Sequence, residues 1–447
     1  SPVSPSIMSD LNKFDEVNRR SFMASAARGC LGVTIGGSAA ELYAPSVHAA
    51  DPTPVPEGGG KAKSVIYLFM AGGMTHLDTF DPKPEAPEKF RGPTETIKTK
   101  ADGLRLGHYM PKLAGQADKI ALVRSLTSTQ GAHGPGRYFM RTGYAPRASI
   151  VHPSNGAWIT RLKKRANEGL PSFVTVGPGN GHPGAGFFEP QYAPLPVGDA
   201  TSGLQNVRRL RHVSEGQFNK QLALRQLLDK QFDKQFHRGQ KNVRAYNQVF
   251  EEAVKLMNSE DLEAFDLKKE NAKVHAAYGD HSFAQGVLLA RRLVERGVRF
   301  IDVEFGGFDW HSDNFSQCEQ KLPVLDQALS ALLQDLEGKG LLESTLVVVA
   351  TEFGRSPKIV QERSGRNHFP KAFSCLLAGG GIRGGQVYGQ TDETGSNVVA
   401  DPITIPDFNA TIGCAMGVPH DLTLMSPSRR PFKLGAREGK PLTKLFG

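Results

Sequence analysis

The most constraining feature of this chain is a set of short apolar runs that each stop at a loop rich in glycine or in groups able to do chemistry. Ser64-Val-Ile-Tyr-Leu-Phe-Met70 is continuously apolar after its first residue and ends in Ala71-Gly72-Gly73. Similar runs recur at Ile120–Val123, Phe173–Val176, Val298–Phe305, Thr345–Ala350 and Phe373–Ala378. A strand that is apolar at successive positions has no face to show to water, so it must be covered on both sides, as parallel strands are. Helical patterns at Gly286–Arg296 and Lys321–Leu336 separate several of the runs. Strands alternating with helices predict βαβ units and an α/β fold with a doubly wound, mostly parallel sheet. In such sheets ligands bind beyond the carboxyl ends of the strands, so the residues just after each run become the candidates.

Composition narrows the class. With 447 residues, 39% of them hydrophobic and 22% charged, the chain is neither fibrous nor wholly disordered. No stretch approaches the ~18 apolar residues that a spanning helix needs, so the mature chain carries no integral membrane segment. The net charge of +9 is concentrated between Val207 and Tyr246, which hold ten Lys and Arg against three acids. Phe218, Leu222, Leu228, Phe232 and Phe236 give that stretch an amphipathic helical spacing. We therefore expect a helical insertion over about residues 200–280, with the basic side chains on a solvated face, and no nucleic-acid partner.

The N-terminus predicts a destination. Asn18-Arg19-Arg20-Ser21-Phe22-Met23 matches the twin-arginine export pattern, and a Gly- and Ala-rich apolar stretch to Gly37 follows it. Val47-His48-Ala49-Ala50 supplies small residues for cleavage before Asp51. The alternative is an ordinary amphipathic helix. The expected organisation is a signal segment over 1–50, a Pro- and Gly-rich linker over 51–63 and an α/β domain over 64–447, with the protein periplasmic or at the cell surface. Cys318, Cys375 and Cys414 are too few and too far apart for a disulfide framework, and Cys318 and Cys375 read as inert buried thiols.

Three polar clusters follow expected strands. The first runs from Gly72 to Pro82 and includes His76, Asp78 and Asp81; the second runs from Phe308 to Asn314 and includes Asp309, His311 and Asp313. The third holds Glu352 and Arg355, with Asn367-His368 shortly after. Carboxylates and imidazoles gathered at strand ends suit a cation such as zinc or manganese. Any one of these histidines alone reads as a hydrogen-bonded loop residue; together they point to a site. By contrast, Gly177-Pro178-Gly179-Asn180-Gly181 lacks the strand-to-helix setting of a phosphate loop and reads as a turn, and Trp158 reads as a packing residue.

The order Asp309-Trp310-His311, a helix, a strand ending in Thr351-Glu352-Phe353-Gly354, and then Asn367-His368 resembles the C-terminal half of the alkaline phosphatase/sulfatase superfamily. His133-Gly134-Pro135-Gly136-Arg137, with Thr142-Gly143 after it, resembles the sulfatase signature Cys-x-Pro-Ser-Arg followed by Thr-Gly. With the export pattern, the whole is similar to an uncharacterised exported family of that superfamily, over about residues 64 to 420. The resemblance implies the alkaline-phosphatase type of doubly wound sheet and one divalent metal (zinc, manganese or calcium) on Asp309, His311 and His368. Glu352 is a possible further ligand and Asp78 a neighbouring one.

The departures from the family pattern matter as much. His133 stands where sulfatases carry the nucleophilic Cys, Ala71-Gly72-Gly73 stands where an Asp is usual, and Glu352-Phe353 replaces an Asp-His pair. A second metal site therefore reads as eroded. His133 is expected to act as nucleophile or general base. Arg137 is expected as an oxyanion clamp, with Arg355 and Asn314 as substrate-binding residues. The implied activity is hydrolysis of sulfate or phosphate esters, for example on a sulfated or phosphorylated small molecule or glycan. The alternative is a non-catalytic protein of the same fold that binds an anionic glycan or partner.

Overall fold

The computed structural model describes residues 53–204 and 252–447, with a few positions between 214 and 224. The expected signal segment and most of the basic run, including Leu222, Leu228, Phe232 and Phe236, lie outside the described residues. Among the described residues, nine strands make the central sheet: β1 (Ser64–Met70), β2 (Ile120–Thr127), β3 (Phe173–Val176), β4 (Leu195–Val197), β5 (Phe300–Phe305), β6 (Thr345–Ala350), β7 (Phe373–Ala378), β8 (Gln386–Tyr388) and β9 (Ile403–Thr404). Their order is β8-β2-β7-β6-β1-β5-β3-β4, and β9 also pairs with β2. β1 lies at the centre, parallel to β5 with Val65 opposite Phe300, and parallel to β6 with Ser64 opposite Thr345. Among the described strands of this sheet only β7 is reversed: it runs antiparallel between β2 and β6. Its continuous apolar run reflects burial on both faces, and that burial specifies no direction.

Alternation along β1 divides the core into two layers. Ile66, Leu68 and Met70 face one cluster, built on α3 (Ser282–Glu295) and α4 (Asn314–Gly338). Val65, Tyr67 and Phe69 face the other, built on α1 (His133–Thr142), α2 (Asn155–Leu162) and α5 (Ile405–Ala415). Trp158 of α2 is fully buried there, as its sequence context indicates. Helices therefore cover both faces of a mostly parallel sheet, which is the doubly wound α/β class expected. Among the described residues, no helix is long and apolar enough to cross a membrane.

The described residues 252–280 are largely helical and lie against α3. Arg291 of α3 fastens them: the guanidinium reaches Glu270 at 2.6 Å and Asp335 of α4 at 2.8 Å. Cys318, Cys375 and Cys414 are buried and unpaired.

Because β1, β2, β5 and β6 point the same way, their following loops open at one edge of the sheet. The loop after β1 passes against the loop after β5 at Gly72, whose φ is 125°. A Cβ there would lie 2.5 Å from the Asp309 backbone nitrogen. That approach is open only to glycine, and it sets Asp309 at the sheet edge.

Candidate metal centre

Four elements deliver the site. The loop after β5 brings Asp309 and His311, the loop after β6 brings Glu352 and Arg355, and a short strand pair (Gly354–Arg355 with His368–Phe369) brings His368. Helix α1 starts at His133, so its first residue and the next turn face the same edge. His133, Arg137 and Arg141 are spaced by four and share one helix face.

Asp309 is the hub. His133 Nε2 lies 3.2 Å from Asp309 Oδ2. His311 Nε2 and His368 Nε2 lie 3.0 and 3.3 Å from Oδ1. The two last nitrogens are 3.1 Å apart. Arg355 also donates to Asp309 Oδ1. Burial alone would raise the Asp309 carboxyl, but the hydrogen bond and charge of Arg355 hold it down at about 2, so it is ionised.

Each imidazole is oriented from behind. His133 Nδ1 donates to Glu352 Oε1 at 2.8 Å, His368 Nδ1 to the Gly131 carbonyl at 2.9 Å, and His311 Nδ1 faces Asn367 Oδ1 at 3.4 Å. Glu352 is fully buried and also accepts the Gly72 N–H at 2.9 Å. Burial works against its charge, yet His133 and Arg137 keep its carboxyl below the ordinary value. With Nδ1–H committed to Glu352, His133 Nε2 carries a lone pair, and that atom is buried without a hydrogen-bond partner. It faces a carboxylate oxygen, so two acceptors meet there, an arrangement that could hold a cation.

The donor set fits a metal. The ligand atoms of His133, Asp309 and His368 lie within 4.8 Å of one another. Tetrahedral ligands at ~2.0–2.1 Å from zinc stand about 3.3 Å apart, and the Asp309–imidazole spacings of 3.0 to 3.3 Å are close to that. Outer partners that fix the imidazole tautomers, as Glu352 and Gly131 do, are the usual support of metal-binding histidines.

A cleft of about 480 Å³ opens over this cluster, lined among others by Gly72, His133, Arg137, Tyr138, Asn180 and Asp309. Arg137 Nε is 3.5 Å from Glu352, and its two terminal NH2 groups have no partner among the described residues. The N-terminus of α1 has no side-chain cap, and His133, Gly134 and Pro135 line the cleft, so the positive end of the helix also faces it.

The structure therefore brings together Asp309, His311, His368, His133, Arg137 and Glu352. Glu352 stands one layer back, on the far nitrogen of His133, and does not itself face the cluster. Asp78 is placed elsewhere: it is fully buried, paired with Arg366 at 3.0 Å, and accepts from Thr75 at 2.8 Å and from Asn314 at 3.0 Å. The loop after β1 turns inward before reaching Asp78, which takes Asn314 with it. Arg355 is buried as well, and it donates to Gly73 and Gly72 carbonyls, to Arg366 O and to Asp309. It holds two loops and a ligand in place and has no free fork for a substrate. Asn180 and Gly181, read from sequence only as part of a turn, line the cleft. Their position after β3 at the same sheet edge is the signal that could have identified them.

Solved structures similar to this chain include PsFucS1 sulfatase from Pseudoalteromonas sp., at 12% identity and a TM-score of 0.39, over 87% of this chain and 73% of that one. The C-terminal periplasmic domain of EcEptC from Escherichia coli, in complex with Zn, is similar at 8% identity and 0.37, over 87% and 91%. The lipoteichoic acid synthase LtaP from Listeria monocytogenes is similar at 9% identity and 0.36, over 84% and 76%. No curated protein matches the sequence. Residues 62–446 match the family described as "Protein of unknown function (DUF1501)", and the chain belongs to that family.

Proposed function

We propose that this chain is an exported, metal-dependent hydrolase of phosphate or sulfate esters. The observation that carries the reading is the set of imidazoles around Asp309: each turns Nε2 inward, and His133 Nε2 has no partner but a carboxylate. His133, Asp309 and His368, with His311 beside them, hold the divalent ion. When bound, the ion supplies Lewis acidity toward a water and an ester oxygen.

The chain's own residues account for the rest. Two carboxylates (Asp309 and Glu352) balance two guanidiniums (Arg137 and Arg355), so a divalent ion leaves the centre with an excess of two positive charges. That excess, the helix terminus and the free fork of Arg137 all favour a tetrahedral oxyanion. Arg137 holds two of its oxygens, while Glu352 keeps His133 in the tautomer that presents Nε2 as a ligand. This assigns His133 as a ligand rather than a nucleophile. Among the described residues that line the cleft there is no Ser, Thr or Cys to form a covalent ester intermediate, and direct attack by water is the reaction we propose. Export rests on the Arg19-Arg20 segment.

The test is a panel of aryl phosphates and sulfates with protein loaded with zinc or manganese. We expect turnover that chelation abolishes. Arg137→Ala should lower kcat/KM by about 10²-fold, as loss of one oxyanion donor does. Tight metal binding with no turnover on any ester would favour the non-catalytic anion-binding alternative.

A further inference from the structure

The cleft wall continues into a basic surface. Tyr138 lines the cleft, and its hydroxyl donates to His152 Nδ1 at 2.8 Å while accepting the His152 N–H at 2.6 Å. The His152 ring stacks on Tyr144 at 4.4 Å and meets Phe432 edge-on at 5.3 Å. The Tyr144 hydroxyl donates to Lys433 O and accepts the Lys433 N–H, both at 2.9 Å. Phe432 belongs to a two-stranded hairpin, Leu424–Met425 with Pro431–Phe432, whose turn exposes Arg429 and Arg430. The loop after Tyr144 carries Pro146, which lines the cleft, and the exposed Arg147.

The aromatic stack thus fastens one positively charged rim to the cleft. From Ser426 to Lys440 the chain has five Lys and Arg against one acid, Glu438. Between Tyr144 and Val151 there is no acid at all. None of this charge is used by the cluster around Asp309.

We propose that this rim docks the anionic units of a linear sulfated polysaccharide that flank the unit whose ester enters the cleft. The identity of that ester rests on the hydrolase reading above; binding at the rim does not. A repeating polyanion is the ligand that gains most from several fixed positive charges in a row, because each contact releases a counterion. The rim is unsuited to single-stranded nucleic acid. Base binding needs open aromatic faces, whereas Tyr144 and His152 stack on each other and Phe432 closes their edge. The exposed large apolar side chains among the described residues are Val151, Leu224, Val387 and Val399, none of them aromatic.

The experiment uses the full chain in chelator, so that turnover plays no part, and labelled dextran sulfate oligomers as the probe. Uncharged dextran and oligo(dT) of matched charge are the comparisons. We expect binding of dextran sulfate that weakens steeply with salt. Arg147→Ala/Arg430→Ala/Lys433→Ala should weaken it at least about tenfold and lower the log–log salt slope by about two, at ~0.7 per neutralised contact. The remote triple Lys98→Ala/Lys268→Ala/Lys273→Ala should leave both unchanged. If the first triple variant loses its far-ultraviolet circular dichroism signal, the pair Arg147→Ala/Arg430→Ala carries the test. Wild-type binding by the rim variant, or oligo(dT) bound as tightly as dextran sulfate, would overturn the proposal. Rim binding intact in chelator, with no ester turnover by the metal-loaded chain in a separate assay, would instead count against the hydrolase reading alone.

Discussion

Asp302→Asn tests how α1 is held over the site. Arg141, two turns beyond His133 on the same face, is buried with its Nε 2.8 Å and one terminal nitrogen 3.2 Å from Asp302, and it reaches Glu304 at 3.1 Å. Its guanidinium also lies over the Phe69 ring at 4.0 Å, and His182 approaches Asp302 at 3.3 Å. Burial raises the Asp302 carboxyl, but Arg141, with His182, more than offsets this and holds it at about 2 against an ordinary 3.8. At ~1.4 kcal/mol per pKa unit, that difference contributes about 2.5 kcal/mol to folding at neutral pH. Because the folded value is depressed, the contribution is complete above pH ~4 and is lost as pH falls from ~4 toward ~2. Asp302→Asn removes the charge and breaks the bidentate pair, leaving Arg141 with Glu304 alone. We expect a loss of about 3 kcal/mol, the range for breaking a buried ion pair, and a shallower decline of stability between pH 4 and 2. Urea unfolding across that pH range measures both. A cost below ~1 kcal/mol with an unchanged acid limb would refute the account of what seats α1.

Two further outcomes follow from the same packing. A Cβ on Gly136 would lie 3.1 Å from Glu352 Cβ and 3.2 Å from the Phe353 ring. Gly136→Ala should therefore push α1 off the β6 loop and weaken zinc binding about tenfold. Its thermal midpoint should change little, since helix propensity returns up to ~1 kcal/mol; unchanged zinc affinity would show that α1 has slack. Burial, with Arg147 nearby, lowers the His152 imidazole from 6.5 to about 4. The unfolded chain then takes up this proton first, so stability should fall by up to about 3 kcal/mol between pH 6.5 and 4. His152→Gln should flatten that limb; an unaltered limb would assign it to other groups.

The strands were legible because burial on both faces writes itself into consecutive residues: β3, β6 and β7 have the bounds that their apolar runs indicate. Direction was not legible, which is why β7 reveals itself as antiparallel only in the sheet. Asp309, His311, His368 and Glu352 could be singled out because each follows a strand that ends at the same edge. Asp78 shares that property, yet its partner Arg366 lies 288 residues away. Spacing along one loop cannot show whether a carboxylate turns outward to solvent or inward to a distant guanidinium. Arg355 has the same history, since its partners Gly72 and Gly73 belong to another strand's loop. The stack of Tyr138, His152, Tyr144 and Phe432 joins segments far apart in the chain, and no local periodicity announces it.

The central claim is that the Asp309 cluster is a metal site held in register by Glu352. Calorimetric titration of chelator-stripped protein with zinc tests it most directly. The account predicts about one ion per chain, lost in His133→Ala and His368→Ala. Glu352→Gln should retain the ion but weaken it by about 10- to 100-fold, as outer partners of metal-binding histidines do. No bound zinc, or zinc bound equally by wild type and His368→Ala, would contradict the site.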